Sequence, residues 1–230
     1  MSPSYSVESQ KSAAFFDLDN TIVEGSSIYY FAKGLVKQGE LTRRSIAKMA
    51  YQHFQYKRTK TETENAIETT TKKLLEFSRD KTCAHLQNLC HAIVDEFLPK
   101  KINKELLSHI ERHKSEGRDT WIMTASPIEI AEVIAKKLGM TGAFGTRGEI
   151  VGGAYSGNVL EKPLHGFSKA EKVFELAAEH KYNLDDSFAY SDSMNDLPLL
   201  ISVGNPNIVN PNKELKAVAQ KNNWPILRSA

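Results

Sequence analysis

Short apolar runs alternate with stretches of helical periodicity along most of this chain. Residues Ala13 to Leu18 read AAFFDL, a buried strand that runs into a carboxylate. A buried charge is costly unless it is paired or metal-bound, so this strand end is a candidate site. From about Ser26 to Leu98 apolar residues recur at helical spacing: Ile28, Phe31 and Leu35, then Ile46, Met49, Ala50 and Phe54, then Ile67, Leu74 and Leu75. The charged, threonine-rich stretch from Lys57 to Lys73 reads as a solvated helix pair around a turn. The pattern changes after Pro99. A helix is predicted from about Asn103 to Glu116, then a strand from Thr120 to Met123, then a helix from about Pro127 to Leu138 that Gly139 stops. Glycines between Phe144 and Tyr155 predict a small hairpin. A helix from Lys169 to His180, a strand from Ser187 to Tyr190, a helix from Leu197 to Val203 and weak strands at Asn207–Val209 and Pro225–Leu227 follow. Strands alternating with helices imply a parallel sheet covered on both faces, with the long helical block as an insertion at one edge.

Composition narrows the class without naming the chemistry. The 230 residues suffice for one large domain, or a core with a smaller inserted module. A net charge of +2 makes no demand for nucleic acid or an anionic membrane as partner. The first twelve residues are polar and lack the apolar core of a signal peptide. No apolar run approaches the roughly 18 residues of a membrane span. Two cysteines are too few for a disulfide framework. A soluble, cytoplasmic protein is the expectation.

The candidate chemistry sits at strand–helix junctions. Asp17-Leu18-Asp19-Asn20-Thr21 closes the first strand, where open α/β sheets carry their sites. Two carboxylates separated by one residue can divide two tasks: Asp17 attacks phosphorus, while Asp19 protonates the leaving oxygen and then activates water. A Ca²⁺ loop or a solvated turn is the plainer alternative. Thr124-Ala125-Ser126-Pro127 lies between a strand and a helix, where a hydroxyl and backbone N–H groups can hold an anion; Ser126 as a simple helix cap is the alternative. Lys169, near the start of a helix, can offset phosphate charge and keep a carboxylate ionised, with Lys172 as competitor. In Tyr190-Ser191-Asp192-Ser193-Met194-Asn195-Asp196, Asp192 suits a Mg²⁺ ligand and Asp196 a supporting role, against the alternative of an Asx turn. Cys83, His85, Cys90 and His91 lack paired C-x-x-C spacing, so zinc is disfavoured. The aromatics Tyr29, Tyr30, Phe31, Tyr51 and Phe54 read as bundle core, with Tyr30 a candidate lining of a leaving-group pocket.

In this order the motifs resemble those of the haloacid dehalogenase (HAD) superfamily: FFDLDNT its motif I, MTAS its motif II, Lys169 its motif III and YSDSMND its motif IV. The helical insertion after motif I is similar to the C1 cap of the phosphoserine-phosphatase-like subgroup, subfamily IB. The resemblance implies a Rossmann-like three-layer αβα core with a parallel sheet, formed by residues 1–25 and 100–230, with an all-helical cap over 26–99. It implies a Mg²⁺-dependent phosphomonoesterase acting through an aspartyl-phosphate on a small phosphorylated metabolite. Asp17 is then nucleophile and metal ligand. Asp19 is the general acid/base, with its backbone carbonyl on the metal. Thr124, Ala125, Lys169 and Asn195 hold the phosphoryl group, Asp192 is a metal ligand and Asp196 a support. A phosphotransferase, or a receiver-type module phosphorylated on aspartate, are the other classes. Asn20 replaces a frequent glycine, and Ser191 precedes Asp192 where glycine is usual. Ser26 stands where phosphoserine phosphatases carry a substrate-binding glutamate, so the resemblance supports phosphatase chemistry more firmly than phosphoserine as substrate.

Overall fold

Each strand of the core is a short apolar run because both of its faces are covered. The computed structural model describes residues 11–42, 76–160 and 163–228. The expected apolar positions Ile46, Met49, Ala50, Tyr51, Phe54, Ile67, Leu74 and Leu75, and the charged stretch Lys57–Lys73, lie outside the described residues. The chain order is β1 (Ala13–Phe16), α1 (Ser27–Lys37), α2 (Cys83–Lys101), α3 (Lys104–Ser115), β2 (Asp119–Pro127) and α4 (Ile128–Lys137). Then come β3 (Gly142–Thr146), β4 (Gly148–Val151), β5 (Ala154–Val159), α5 (Phe167–His180) and β6 (Phe188–Ser191). A 3-10 turn (Met194–Asp196), α6 (Leu197–Ile201), β7 (Asn205–Val209), α7 (Lys213–Lys221) and β8 (Ile226–Leu227) complete it.

The main sheet has the order β3-β2-β1-β6-β7-β8, and every neighbouring pair is parallel. Strand β1 shows how the layers form. Ala14 and Phe16 point into one apolar cluster, with residues of α1 to α4. Ala13 and Phe15 point into the other, with residues of α5, α6 and α7. The period of two thus sorts one short strand between two cores. The result is the three-layer α/β fold with a parallel sheet that the sequence implies. Helices α1 and α2 share the first cluster through Phe31, Leu35, Leu86, Cys90, Ile93 and Val94. Cys90 is 1% exposed there, a packing role, and burial pushes its thiol up. Among the described residues no helix is long and apolar enough to cross a membrane.

Three sequence expectations shift. The hairpin expected over Phe144–Tyr155 is the antiparallel pair β4–β5; Phe144 belongs instead to β3, which joins the main sheet beside β2. Glycine-rich β3 hid the strand because Gly142 and Gly145 leave no side chain to show alternation. Gly142 admits the Trp121 ring, which a Cβ would meet at 2.7 Å. Strand β2 also runs past Met123 to Pro127, with an irregularity in its pairing to β3 after Met123. Helix α2 continues through Pro99 to Lys101, although the proline removes one bond of the ladder, and it ends shortly after.

On the face lined by α3, a polar network sits inside the apolar layer. His113 is fully buried, and its Nε2 lies 2.8 Å from the Tyr190 hydroxyl. Arg118 can only donate to His113 Nδ1, 3.4 Å away, so Nε2 carries the proton and donates to Tyr190. The Tyr190 hydroxyl then donates to His109 Nδ1 at 3.4 Å. Phe16 stacks on Tyr190 with centroids 4.5 Å apart. Burial and the charges of Arg118, Arg112 and His109 press the His113 pKa down to about 3. An unfolded histidine titrates near 6.5. Below that pH the unfolded chain takes a proton that the folded chain refuses, so this stabilisation is complete above about pH 6.5 and is lost as pH falls toward about 3. Between about pH 6.5 and 5, wild type should therefore lose up to about 1.4 kcal/mol per pH unit more stability than His113→Gln, read by urea denaturation. Parallel pH dependence in the two proteins would contradict the buried neutral histidine.

Candidate active site

The sheet order reverses beside β1: the chain runs outward through β2 and β3, then returns to β6 on the other flank. Ligand sites of open α/β sheets lie at such switch points, outside the carboxyl ends of the strands. Asp17 follows β1 directly, and its N–H donates to Tyr190 O at 2.9 Å, continuing the pairing with β6. The register Phe16↔Tyr190 sets Asp17 beside Ser191, so Asp192 emerges one residue further on. Asn20 adopts φ +57°, which lets the chain turn back after β1; asparagine tolerates this left-handed conformation where glycine is frequent.

Asp17 is 7% exposed and both of its oxygens are engaged. Lys169 Nζ donates to Oδ1 at 2.7 Å and Thr21 Oγ1 donates to Oδ2 at 3.1 Å. Lys169, 3% exposed, also donates to Asp196 Oδ2 at 2.7 Å, and Ser191 Oγ donates to the same oxygen at 2.8 Å. Gly166, with φ +57°, turns the chain into α5 so that Lys169 in the first turn enters the site. Burial pushes the Asp17 carboxyl well above the usual carboxylate range; Lys169 opposes this, and Asp196 and Asp19 add to it. The two carboxylates raise the Lys169 ammonium's pKa against its burial, so it stays charged. One ammonium between two carboxylates cannot neutralise both. Lys172 is excluded as its competitor: it pairs with Glu175 and lies over the Phe144 ring.

Asp19 is held differently. Its Oδ1 accepts the N–H of Ser27, the first residue of α1, and its Oδ2 accepts from Ser126 Oγ at 2.7 Å. Ser27 and Ser126 are both essentially buried, and their hydroxyls lie 3.0 Å apart. Ser126 therefore does not cap α4, as the simpler sequence reading had it; Pro127 occupies the cap position without a side-chain bond. Ser126 and Ser27 are the functional candidates that sequence reasoning missed. The available signal was strand alternation, which sets Ser126 on the same side of β2 as Thr124.

The remaining expected residues line the same end of the sheet. Thr124 is 1% exposed and its Oγ1 accepts from Ser126 N–H at 3.0 Å. The Ala125 carbonyl accepts from Thr146 Oγ1 at 2.7 Å. Asn195 N–H donates to Ser193 Oγ at 3.2 Å in the 3-10 turn, and Asp196 leads into α6. Ser26 caps α1, accepting from Tyr29 N–H at 3.3 Å. Tyr30 is half-buried, its hydroxyl donates to Glu24 O at 2.8 Å and its ring stacks on Phe97.

The donor set fits a hard divalent cation. Asp17 and Asp192 are nearly buried carboxylates at neighbouring strand ends, in a site where Lys169 balances only part of the negative charge. Mg²⁺ takes one or two carboxylates and keeps water and phosphate oxygens elsewhere. Such a site needs no gathering of three acidic, histidine or cysteine side chains, and none occurs among the described residues.

The chain matches the family model for haloacid dehalogenase-like hydrolases over residues 14–200. It is 37% identical over 214 residues to phosphoserine phosphatase SerB1 of Mycobacterium tuberculosis (strain ATCC 25618 / H37Rv), covering 93% of this chain and 70% of that protein. A crystal structure of a protein of unknown function from Bordetella pertussis Tohama I superposes with a TM-score of 0.79 at 25% identity, over 95% of this chain and 98% of the other. A phospho-aspartyl intermediate analogue of phosphoserine phosphatase shares the fold with a TM-score of 0.64 at 20% identity, over 96% of this chain and 94% of the other.

The ion triad makes a stability prediction. Lys169→Met leaves two buried carboxylates facing each other and should cost about 3–5 kcal/mol in urea denaturation without added metal. Asp17→Asn keeps Lys169 paired with Asp196 and should cost clearly less. Equal costs for the two variants would show that Lys169 does not hold the pair together.

Proposed function

Because the chain belongs to the haloacid dehalogenase-like hydrolase family, we propose that it is a Mg²⁺-dependent phosphomonoester hydrolase working through an aspartyl-phosphate on Asp17. The observation that carries this reading is the pairing of Asp17, fixed by Lys169 and Thr21, with a second carboxylate two residues on that is held apart from it by other partners. A nucleophile and an acid/base are thereby kept separate at one strand end, as covalent phosphoryl transfer requires.

Asp17 attacks phosphorus in line with the ester oxygen. The P–O bond to the alcohol breaks while the bond to Asp17 forms, and Asp19 gives its proton to the departing oxygen. Asp19 then takes a proton from water, whose oxygen displaces Asp17 from phosphorus and releases phosphate. Lys169, the Thr124 hydroxyl, the Ala125 N–H and Asn195 stabilise charge on the phosphoryl oxygens, which is most of what this reaction asks of a protein. The carboxylates of Asp17 and Asp192 and the Asp19 backbone carbonyl would hold Mg²⁺, while the Asp19 side chain is held by Ser27 and Ser126. Bound there, the ion supplies charge stabilisation to the transferring phosphoryl group. Asp196 keeps Lys169 aligned.

Residues 1–25 and 100–230 form the catalytic core in this reading, and 26–99 the cap that selects the leaving group. The substrate is a small phosphorylated metabolite. Ser26 is engaged as a helix cap and carries no charge for an amino acid's ammonium, which sets this chain apart from the phosphoserine pattern.

The test is phosphate release from a panel of phosphomonoesters. EDTA should abolish release and Mg²⁺ restore it. Asp17→Asn should lower turnover by about 10⁴-fold or more while the protein stays folded. Substantial metal-dependent turnover by that variant removes Asp17 as nucleophile. Transfer to an added alcohol in preference to water would make the protein a phosphotransferase.

A further inference from the structure

We propose that Ser126 is a positioning residue for the acid/base carboxylate, linking Asp19 to the start of α1 through a hydroxyl pair with Ser27. The inference rests on the hydrolase reading of the same site and adds to it a role for Ser126 and Ser27 that the sequence motifs do not assign.

Among the described residues Asp19 makes no ion pair; its orientation comes from hydrogen bonds to groups on two separate elements. The Ser27 N–H at the first turn of α1 fixes Oδ1, and an anionic oxygen is favoured at a helix N-terminus. Ser126 Oγ, from the end of β2, fixes Oδ2 at 2.7 Å. Ser27 Oγ, 3.0 Å from Ser126 Oγ, closes the triangle. Ser126 is 1% and Ser27 0% exposed, so the two hydroxyls are shielded from bulk water.

A hydroxyl suits this place better than a fixed donor does. Asp19 must lose a proton to the leaving alcohol and later take one from water. A serine hydroxyl carries one proton and two lone pairs, so it can donate to the carboxylate or accept from the carboxylic acid by rotating. Ser27 Oγ supplies the complementary partner in either orientation. The Ser27 N–H is donor-only and engages Oδ1, so Oδ2, whose hydroxyl partner can reverse direction, is the better placed oxygen for the exchangeable proton. Ser126 thus holds the oxygen that changes state. Alanine cannot, and it leaves Ser27 Oγ without this partner.

The effect should depend on how much the leaving group needs a proton. The value of kcat/KM stops at formation of the aspartyl-phosphate, so it reports Asp19 as acid. For an alkyl phosphate, Ser126→Ala should lower kcat/KM by about 10- to 100-fold, a part of the usual contribution of general acid catalysis. For p-nitrophenyl phosphate, whose phenolate leaves without a proton, kcat/KM should stay within about 3-fold, although kcat can fall through the base role. In an Asp19→Asn background, adding Ser126→Ala should change kcat/KM by less than about 3-fold on either substrate, because Ser126 acts through Asp19.

A purely structural serine would lower both substrates equally and in both backgrounds, and that result overturns the proposal. If the alanine protein does not fold, as judged by its thermal melt, Ser126→Cys carries the same comparison with a weak donor. Wild type that releases phosphate from neither substrate class would overturn the hydrolase reading and this inference with it. Wild type that is active, with equal losses on both substrates, overturns this inference alone.

Discussion

Lys169 lies between Asp17 and Asp196, 2.7 Å from an oxygen of each, with almost no solvent to share the charge. Removing three ionised groups from water costs several kcal/mol each, and their attraction offsets that only with close geometry and further hydrogen bonds. Both conditions are met here by neighbouring strands and a helix turn: Thr21 serves the far oxygen of Asp17, and Ser191 serves Asp196. The arrangement constrains the fold. It needs β1 beside β6, α5 entering over their carboxyl ends through Gly166, and the 3-10 turn returning Asp196 to the lysine. The parallel order with its reversal beside β1 brings these segments together, although more than 150 positions separate Asp17 from Lys169.

The strands that carry the site are themselves anchored from the opposite direction. Tyr190, one residue before the β6 end, stacks on Phe16, and its hydroxyl is held by the fully buried His113. Its carbonyl accepts the Asp17 N–H. One aromatic side chain and its own backbone thus connect the α3 layer to the carboxylate end of β1. Packing on this face fixes the height at which Asp17 leaves the sheet, and the ion triad fixes where its oxygens point.

Most of this was legible in the sequence, for a physical reason. AAFF, and the apolar stretches after Arg118 and before Ser191, are buried on both faces, so they read as parallel strands, and the carboxylates and hydroxyls follow them within a residue or two. Asp17, Asp19, Thr124, Lys169, Asp192 and Asp196 accordingly meet at one end of one sheet. What escaped was set by contacts across long separations. Strand β3 carries glycines because Trp121 and the β2–α4 turn press against it, and glycines carry no alternation. Ser126 looked like a helix cap because capping is local, whereas its partners Asp19 and Ser27 lie 107 and 99 positions away. Lys169 was separable from Lys172 only through the motif resemblance; physically, the turn at Gly166 brings Lys169 inward.

The two carboxylates of the first motif therefore have different mechanical attachments, and this bears on how the molecule divides its labour. Asp17 accepts hydrogen bonds from Lys169 and Thr21 and donates its N–H to the Tyr190 carbonyl, all of them in or beside the sheet and α5. Asp19 takes one of its bonds from the first N–H of α1 and another from a serine whose hydroxyl also touches α1. Any displacement of α1 costs Asp19 its Oδ1 partner and weakens the support of its Oδ2 partner, yet leaves the Asp17 bonds untouched. A group that attacks phosphorus gains from rigidity, since misplacing it is penalised steeply. In the proposed reaction the group that exchanges a proton with the leaving oxygen is the one tied to α1. The sequence places these two carboxylates two positions apart, and the fold ties one to the sheet and the other to α1.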